Sequence, residues 1–220
     1  MTAKLTTPRA ILFDWDNTLV DTWPIIHQAL NSTLRLMKHP EWSFDKVRSE
    51  VKKSMRDSFP EMFGDAWEDA ASHYQQAYRA LHLQHLLPLD GALDMIESIP
   101  RGKIFVGIVS NKKGDTLRQE LNHLGWAAHF AATVGAGDAD EDKPSVKPVM
   151  LALSDSSIAP AADVWFIGDT GVDLECALNT GCTPVLYGPH STDGTTHENF
   201  PFAAHVRNHD ELKALIKNSL

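Results

Sequence analysis

The chain reads as an α/β protein built on a doubly wound parallel sheet, with an all-helical segment inserted into it. Three observations predict this. Short apolar runs without strict alternation recur along the chain, as strands do when helices cover both faces of a sheet. Helical patterns separate those runs. The stretch between the first and second runs is far longer than one crossover helix needs, and it too carries helical periodicity.

Strands are expected at 10–13, 104–109, 164–167 and 184–187. Three of them end in polar or glycine-containing segments: Asp14-Trp15-Asp16-Asn17-Thr18, Ser110-Asn111-Lys112-Lys113 and Gly168-Asp169-Thr170. In open sheets of this kind ligands bind beyond the carboxyl ends of the strands, where these segments would meet. After the first strand, Ile25, Ile26, Ala29, Leu30, Thr33, Leu34 and Met37 share one helical face. A second helix is expected at 44–55 and a third at 67–85, with Pro24, Pro40, Pro60 and Pro88 at element boundaries. The helical insert is read at 23–87. Residues 1–21 and 89–220 then form the α/β core, and 22–88 a helical cap, a lid over the crevice.

Composition sets outer limits. The 220 residues are 43% hydrophobic, enough to bury one substantial core or one core plus a smaller domain. Acidic residues number 29 against 20 Lys and Arg, for a net charge of −9. That balance disfavours nucleic acid and anionic membranes as partners, but not a small anionic substrate beside a bound cation. Only Cys176 and Cys182 occur, so no disulfide framework is implied, and both are expected to be buried. No secretory leader or membrane span is apparent, which fits a cytoplasmic enzyme.

The sharpest chemical signal is the pair of carboxylates Asp14 and Asp16 directly after an apolar run. From a turn at a strand end, one can attack phosphorus as a nucleophile while the other passes a proton to and from oxygen. Alone, such a segment is equally a turn or a helix cap. Ser110 and Asn111 can bind a phosphoryl oxygen through hydroxyl and backbone N–H groups. Lys143, in Asp142-Lys143-Pro144-Ser145, can neutralise the same charge, or sit as a solvated surface lysine. Asp169 and Asp173 in Gly168-Asp169-Thr170-Gly171-Val172-Asp173 are spaced for one direct and one water-mediated magnesium contact.

In this order the four segments resemble the haloacid dehalogenase superfamily of hydrolases. The resemblance spans roughly residues 9–21 and 89–188, and the segment Gly181-Cys182-Thr183-Pro184-Val185-Leu186-Tyr187-Gly188 looks like that of members similar to phosphoglycolate phosphatase. It implies a Rossmann-like core with a helical cap and hydrolysis of a small phosphomonoester, a phosphorylated acid or a sugar phosphate. Asp14, Asp16 and Thr18 match the first motif, Ser110 the second, Lys143 the third, and Gly168, Asp169 and Asp173 the fourth. It further implies Asp14 as nucleophile and Asp16 as general acid and base. Mg²⁺ would be held by Asp14, the Asp16 backbone carbonyl and Asp169, with Asp173 in support. Ser110 and Lys143 would bind the phosphoryl group, with Thr18 and Asn111 among the substrate contacts. Val146 stands where the third motif often has a second proline, and Lys147-Pro148 is an alternative match; distance to Gly168-Asp169 favours Lys143.

Rival chemistries within the superfamily are weaker. A dehalogenase does not keep the second aspartate, here Asp16. A phosphomutase needs cap residues for a second phosphate, and no convincing set stands out. A phosphonate-cleaving enzyme needs a cap lysine, and Lys38, Lys46, Lys52 and Lys53 have no supporting context. A non-catalytic phospho-ligand-binding module would have lost a site residue. Arg56 could reach substrate from the insert, or be a solvated helix-end residue. His82 and His85 are read as solvated, Gly135-Ala136-Gly137 as a loop, and Trp15 as a packing residue. Nothing in the sequence reads out the oligomeric state.

Overall fold

A computed structural model describes residues 5–51, 55–190 and 196–220, without the side chains of residues 56 and 57. The chain divides into two compact units, residues 1–20 with 88–220, and residues 21–87.

Strands β1 (Ala10–Phe13) and β2 (Val20–Asp21) come first. Four helices follow: α1 (Trp23–Leu36), α2 (Phe44–Glu50), α3 (Met55–Phe63) and α4 (Trp67–His85). The chain continues through β3 (Leu87–Pro88), α5 (Ala92–Ser98), β4 (Phe105–Lys113), α6 (Gly114–His123) and β5 (Ala132–Ala136). Next come α7 (Lys147–Leu153), β6 (Val164–Gly168), α8 (Gly171–Thr180) and β7 (Thr183–Tyr187). The short strands β8 (Thr196–His197), β9 (Phe200–Pro201) and β10 (Ala204–Val206) precede the last helix, α9 (His209–Ser219).

The larger unit is built on a six-stranded sheet in the order β10-β7-β6-β1-β4-β5, every pairing parallel. The doubly wound α/β fold expected from the sequence is therefore present. All four residues of β1 are fully buried, as are Val164, Trp165 and Ile167 of β6. That is why these strands read as continuous apolar runs: both faces are covered. On one face Ala10, Leu12, Val109, Val134, Phe166 and Cys176 pack into a common cluster. Both cysteines are buried, and burial pushes the Cys176 thiol up to about 12.

The smaller unit is helical and has its own core. Ile25, Ile26, Ala29, Leu30 and Leu34 of α1 pack with Val47, Phe59, Phe63, Ala70 and Tyr78. Thr33 is buried as well, so six of the seven residues assigned to the apolar face of α1 are internal, Met37 being partly so.

Five readings of the sequence need correction. The second strand, expected at 104–109, runs from Phe105 to Lys113 and takes in the polar segment expected to follow it. The second helix stops at Glu50 and a separate helix, α3, starts at Met55. Pro60, expected at a boundary, lies inside α3. Gly135 and Ala136 close strand β5 instead of forming a loop; Gly135 packs so tightly that a Cβ there would stand 2.5 Å from the Gly114 Cα. His82 is buried at 1% exposure beside Tyr78, whereas His85 is exposed as expected. No helix among the described residues is long and apolar enough to cross a membrane.

Candidate active site

The carboxyl end of β1 lies between β4 and β6, with Phe13 in register with Ile108 on one side and Ile167 on the other. The Asp14 N–H continues the pairing by donating to the Ile167 carbonyl at 2.8 Å. The chain then turns tightly. Asn17 takes a left-handed conformation (φ 60°), its N–H donates to the Val20 carbonyl at 2.7 Å, and the Leu19 N–H donates to the Trp15 carbonyl at 3.0 Å. Asparagine is among the few side chains that tolerate that backbone.

Lys143 is the hub of the buried charges. Only 3% exposed, its Nζ donates to Asp14 Oδ1 at 2.7 Å and to Asp173 Oδ1 at 2.7 Å. Its backbone is pinned by a reciprocal pair with the Asn111 carboxamide. The Lys143 N–H donates to Asn111 Oδ1 at 2.8 Å, and Asn111 Nδ2 donates to the Lys143 carbonyl at 3.0 Å. Lys147 is placed elsewhere: it is half-exposed and pairs with Glu141 at 2.9 Å.

Asp173 is fixed by the start of α8. Its Oδ2 accepts from the Thr170 N–H at 3.0 Å and from Thr170 Oγ1 at 2.7 Å, which closes a capping box. Both its oxygens are thus engaged. Gly168 leaves no room beneath it, since a Cβ there would stand 2.3 Å from Asp173 Cγ. Asp169 accepts a long hydrogen bond, 3.4 Å, from the Thr18 hydroxyl. Thr18 is fully buried. Its own carbonyl faces His209 Nε2 at 2.9 Å, and the Asp90 carbonyl faces His209 Nδ1 at 2.9 Å. Ser110 is buried within β4, its Oγ accepting the Lys112 N–H at 3.3 Å.

One oxygen from each of Asp14, Asp169 and Asp173 lies within 4.8 Å of the other two. Three carboxylates against one ammonium leave an excess of negative charge in a buried space, and the ionisation behaviour follows. Burial pushes the Asp14 carboxyl up to about 6, with Lys143 drawing it down and Asp173 and Asp16 raising it further. Asp169 is raised well above the usual carboxylate range by burial, then by Asp173 and Asp14. Burial opposes the charge of Lys143, but Asp14 and Asp173 outweigh it and raise its pKa, so the lysine stays an ammonium.

Asp16 stands apart from this cluster. Its side chain keeps 23% exposure, and its Oδ1 pairs with Lys112 Nζ at 2.6 Å. Lys112 in turn donates to Glu120 Oε2 at 2.7 Å, and the Trp15 Nε1–H donates to the same oxygen at 2.7 Å. Trp15 does pack, edge-on against Trp126, but it also carries this hydrogen bond. The sequence reading gave Lys112 and Glu120 no role. The Arg56 side chain, Lys52 and Lys53 lie outside the described residues.

The profile of one protein family, described as haloacid dehalogenase-like hydrolase, matches residues 11–186, from within β1 to within β7. The chain belongs to that family. A haloacid dehalogenase-like hydrolase is an enzyme, and the resemblance carried by the four motifs is thereby established at the level of the family. Relatives point the same way. The chain is 28% identical over 178 residues to a phosphoglycolate phosphatase of Xylella fastidiosa, covering 79% of this chain and 77% of that one. It is 28% identical over 200 residues to an N-acetylmuramic acid 6-phosphate phosphatase of Pseudomonas aeruginosa, covering 86% and 87%. The solved structure of a predicted phosphatase from Clostridium acetobutylicum shares the fold with a TM-score of 0.85 at 21% identity, over 97% of this chain and 100% of that one.

Proposed function

We propose that this hydrolase is a magnesium-dependent phosphatase that cleaves small phosphomonoesters through an aspartyl-phosphate on Asp14. The observation that carries the reading is the Asp14 carboxylate, 2.7 Å from the Lys143 ammonium and grouped with Asp169 and Asp173 in one buried space. Both named relatives are phosphatases of a phosphorylated small acid or sugar acid, which supports that substrate class. Residues 22–88 serve in this reading as the inserted cap domain.

The residues fit a hard divalent cation. The donor set is all oxygen, and Asp14 and Asp169 are raised first by burial and then by the neighbouring carboxylates, a crowding of negative charge that a cation would offset. Asp14, Asp169 and the Asp16 backbone carbonyl would hold the ion, with Asp173, already bonded through both oxygens, supporting it indirectly. Bound there, Mg²⁺ would offset the repulsion between the phosphate and the carboxylates.

In the first half of the reaction an Asp14 oxygen attacks phosphorus, and the ester oxygen departs with the proton of Asp16. In the second half Asp16 takes a proton from water, whose oxygen displaces Asp14 and releases inorganic phosphate. Lys143 and Ser110 bind the phosphoryl oxygens in a site from which water is largely excluded. Asn111 contributes by fixing the Lys143 backbone.

The test is turnover of p-nitrophenyl phosphate. Activity in magnesium that disappears with EDTA and returns with added metal is expected, and Asp14→Asn should remove it. Metal-independent turnover, or a near-normal rate in Asp14→Asn, refutes the proposal. A panel of phosphorylated acids and sugars then identifies the substrate.

A further inference from the structure

We propose that Lys112, held by Glu120, is a positioning residue that fixes which oxygen of Asp16 carries the catalytic proton. The inference rests on the acid–base reading of Asp16 given above and extends it to residues without an assigned role.

Asp16 Oδ1 is sealed from solvent and faces Lys112 Nζ at 2.6 Å, yet the side chain as a whole keeps 23% exposure. The exposed part of the side chain therefore excludes Oδ1. With Oδ1 committed to the lysine, Oδ2 is the oxygen left to give and take a proton. As the P–O bond to the leaving group breaks and the Asp14–phosphorus bond forms, the electron pair on the leaving oxygen takes the proton from Oδ2. In the second half Oδ2 receives a proton from water while the water oxygen bonds to phosphorus and the Asp14–phosphorus bond breaks. The proton count on Asp16 returns to its start.

The lysine would not hold this direction unaided, because a four-carbon stem is flexible. Glu120 supplies the second anchor. It is fully buried on α6, and its Oε2 accepts from Lys112 Nζ at 2.7 Å and from the Trp15 indole N–H at 2.7 Å. Trp15 is fully buried between the two aspartates in sequence and braced by Trp126, with ring centroids 6.0 Å apart. Glu120 is thus registered directly against the segment that carries Asp14 and Asp16. Burying a glutamate and a lysine costs desolvation that an apolar pair would avoid, so a purely structural origin gives little reason for charge at these positions. Positioning of a reacting carboxyl does, since small misplacements of a catalytic group cost large factors in rate.

The experiment compares kcat/KM on phenyl phosphate and p-nitrophenyl phosphate, which are alike in size but unlike in the need of the leaving oxygen for a proton. Phenolate is the poorer leaving group and depends on Asp16, whereas p-nitrophenolate departs without help. Asp16→Asn is the control and should lower kcat/KM on phenyl phosphate roughly 100-fold more than on p-nitrophenyl phosphate, within the usual range for general acid catalysis. Lys112→Met and Glu120→Gln should change the ratio in the same direction by roughly tenfold or more. Lys112→Arg, which can still reach both carboxylates, should restore part of it. Glu120→Gln keeps size and an acceptor for Trp15, so it gives the answer if Lys112→Met does not fold. A merely structural role would lower both substrates equally and leave the ratio unmoved, which overturns the inference while Asp16→Asn still shows the effect. If Asp16→Asn itself leaves the ratio unchanged, the acid–base reading of Asp16 fails, and this inference with it.

Discussion

Replacing Asp14 with asparagine should stabilise the metal-free protein while abolishing turnover. Asp14 is 6% exposed, and its carboxyl is pushed from 3.8 up to about 6, foremost by burial. At 1.36 kcal/mol per unit, that places about 3 kcal/mol of strain on the ionised form at neutral pH. Asparagine has nearly the same shape and no charge, and Lys143 keeps Asp173 as a partner at 2.7 Å. For a protein of this size each kcal/mol moves the unfolding midpoint by about 2–4 °C, so a rise of up to about 10 °C is expected in EDTA at pH 7.

The pH dependence has a definite sign. The folded-state value lies above the unfolded one, so the folded protein binds the extra proton first as pH falls. The penalty is full above about 6 and is relieved between about 6 and 3.8, where the advantage of the variant should shrink. Magnesium should raise the midpoint of the wild type by more than that of Asp14→Asn, because a ligand stabilises only the state it binds. Thermal unfolding of both proteins in EDTA and in magnesium, at pH 7 and pH 5, measures each arm. A lower midpoint for Asp14→Asn in EDTA would refute the reasoning. It would mean that the Asp14–Lys143 pair acts as a structural bridge, whose loss ordinarily costs about 3–5 kcal/mol.

Lys143→Met should destabilise the protein by about 3–5 kcal/mol, since Asp14 and Asp173 would be left buried without their cation, and kcat/KM on p-nitrophenyl phosphate should fall about 10²–10³-fold. Lys147→Met should change neither, because Lys147 pairs at the surface with Glu141 and Asp140; the same two assays decide between the lysines. Gly168→Ala should cost about 1–3 kcal/mol and most of the activity, because the new methyl would stand 2.3 Å from Asp173 Cγ and displace it from Lys143; unchanged kinetics would contradict that packing. His209→Leu leaves the buried Thr18 carbonyl without its imidazole partner, so the unfolding midpoint should drop by the equivalent of about 1–3 kcal/mol.

What was legible in the sequence tracks the length and regularity of each signal. Strand β1 and helix α4 were read to their termini, because a fully buried strand and a long amphipathic helix each leave an unmistakable pattern. Strands β5 and β10 went unread: Ala132–Ala136 is rich in small residues, and Ala204–Val206 is too short for a period. The break between α2 and α3 was missed because no glycine falls between 44 and 63, and Pro60 drew the boundary to the wrong side. At the site, Asp14, Asp169, Asp173 and Lys143 were found from their motifs, and the structure gathers them. The sequence did not show that the Thr18 and Asn111 side chains bond to Asp169 and to the Lys143 backbone, because those partners lie far away in the chain. Glu120 left no trace, since a glutamate on an amphipathic helix reads as solvated and its partner Trp15 lies 105 positions away.

The sheet order explains why these charges can share a buried space at all. Strand β1 lies between β6 and β4, so the chain crosses from it in opposite directions and leaves a crevice at its carboxyl end. Asp14, Asp169 and Ser110 reach that end from three neighbouring strands that are anchored by buried apolar residues, and that anchoring offsets the unfavourable crowding of charge. Within the crevice the two aspartates of the first motif meet different surroundings although only Trp15 separates them. Asp14 is nearly sealed and bound to Lys143, whereas Asp16 stays partly open and is held from one side by Lys112. A nucleophile benefits from the dry position, where a fixed cation is strongest, and a group that must exchange protons with ester oxygen and then with water benefits from the open one. In the mechanism proposed above, one short motif would thus serve two chemical roles, because its two carboxylates meet different surroundings.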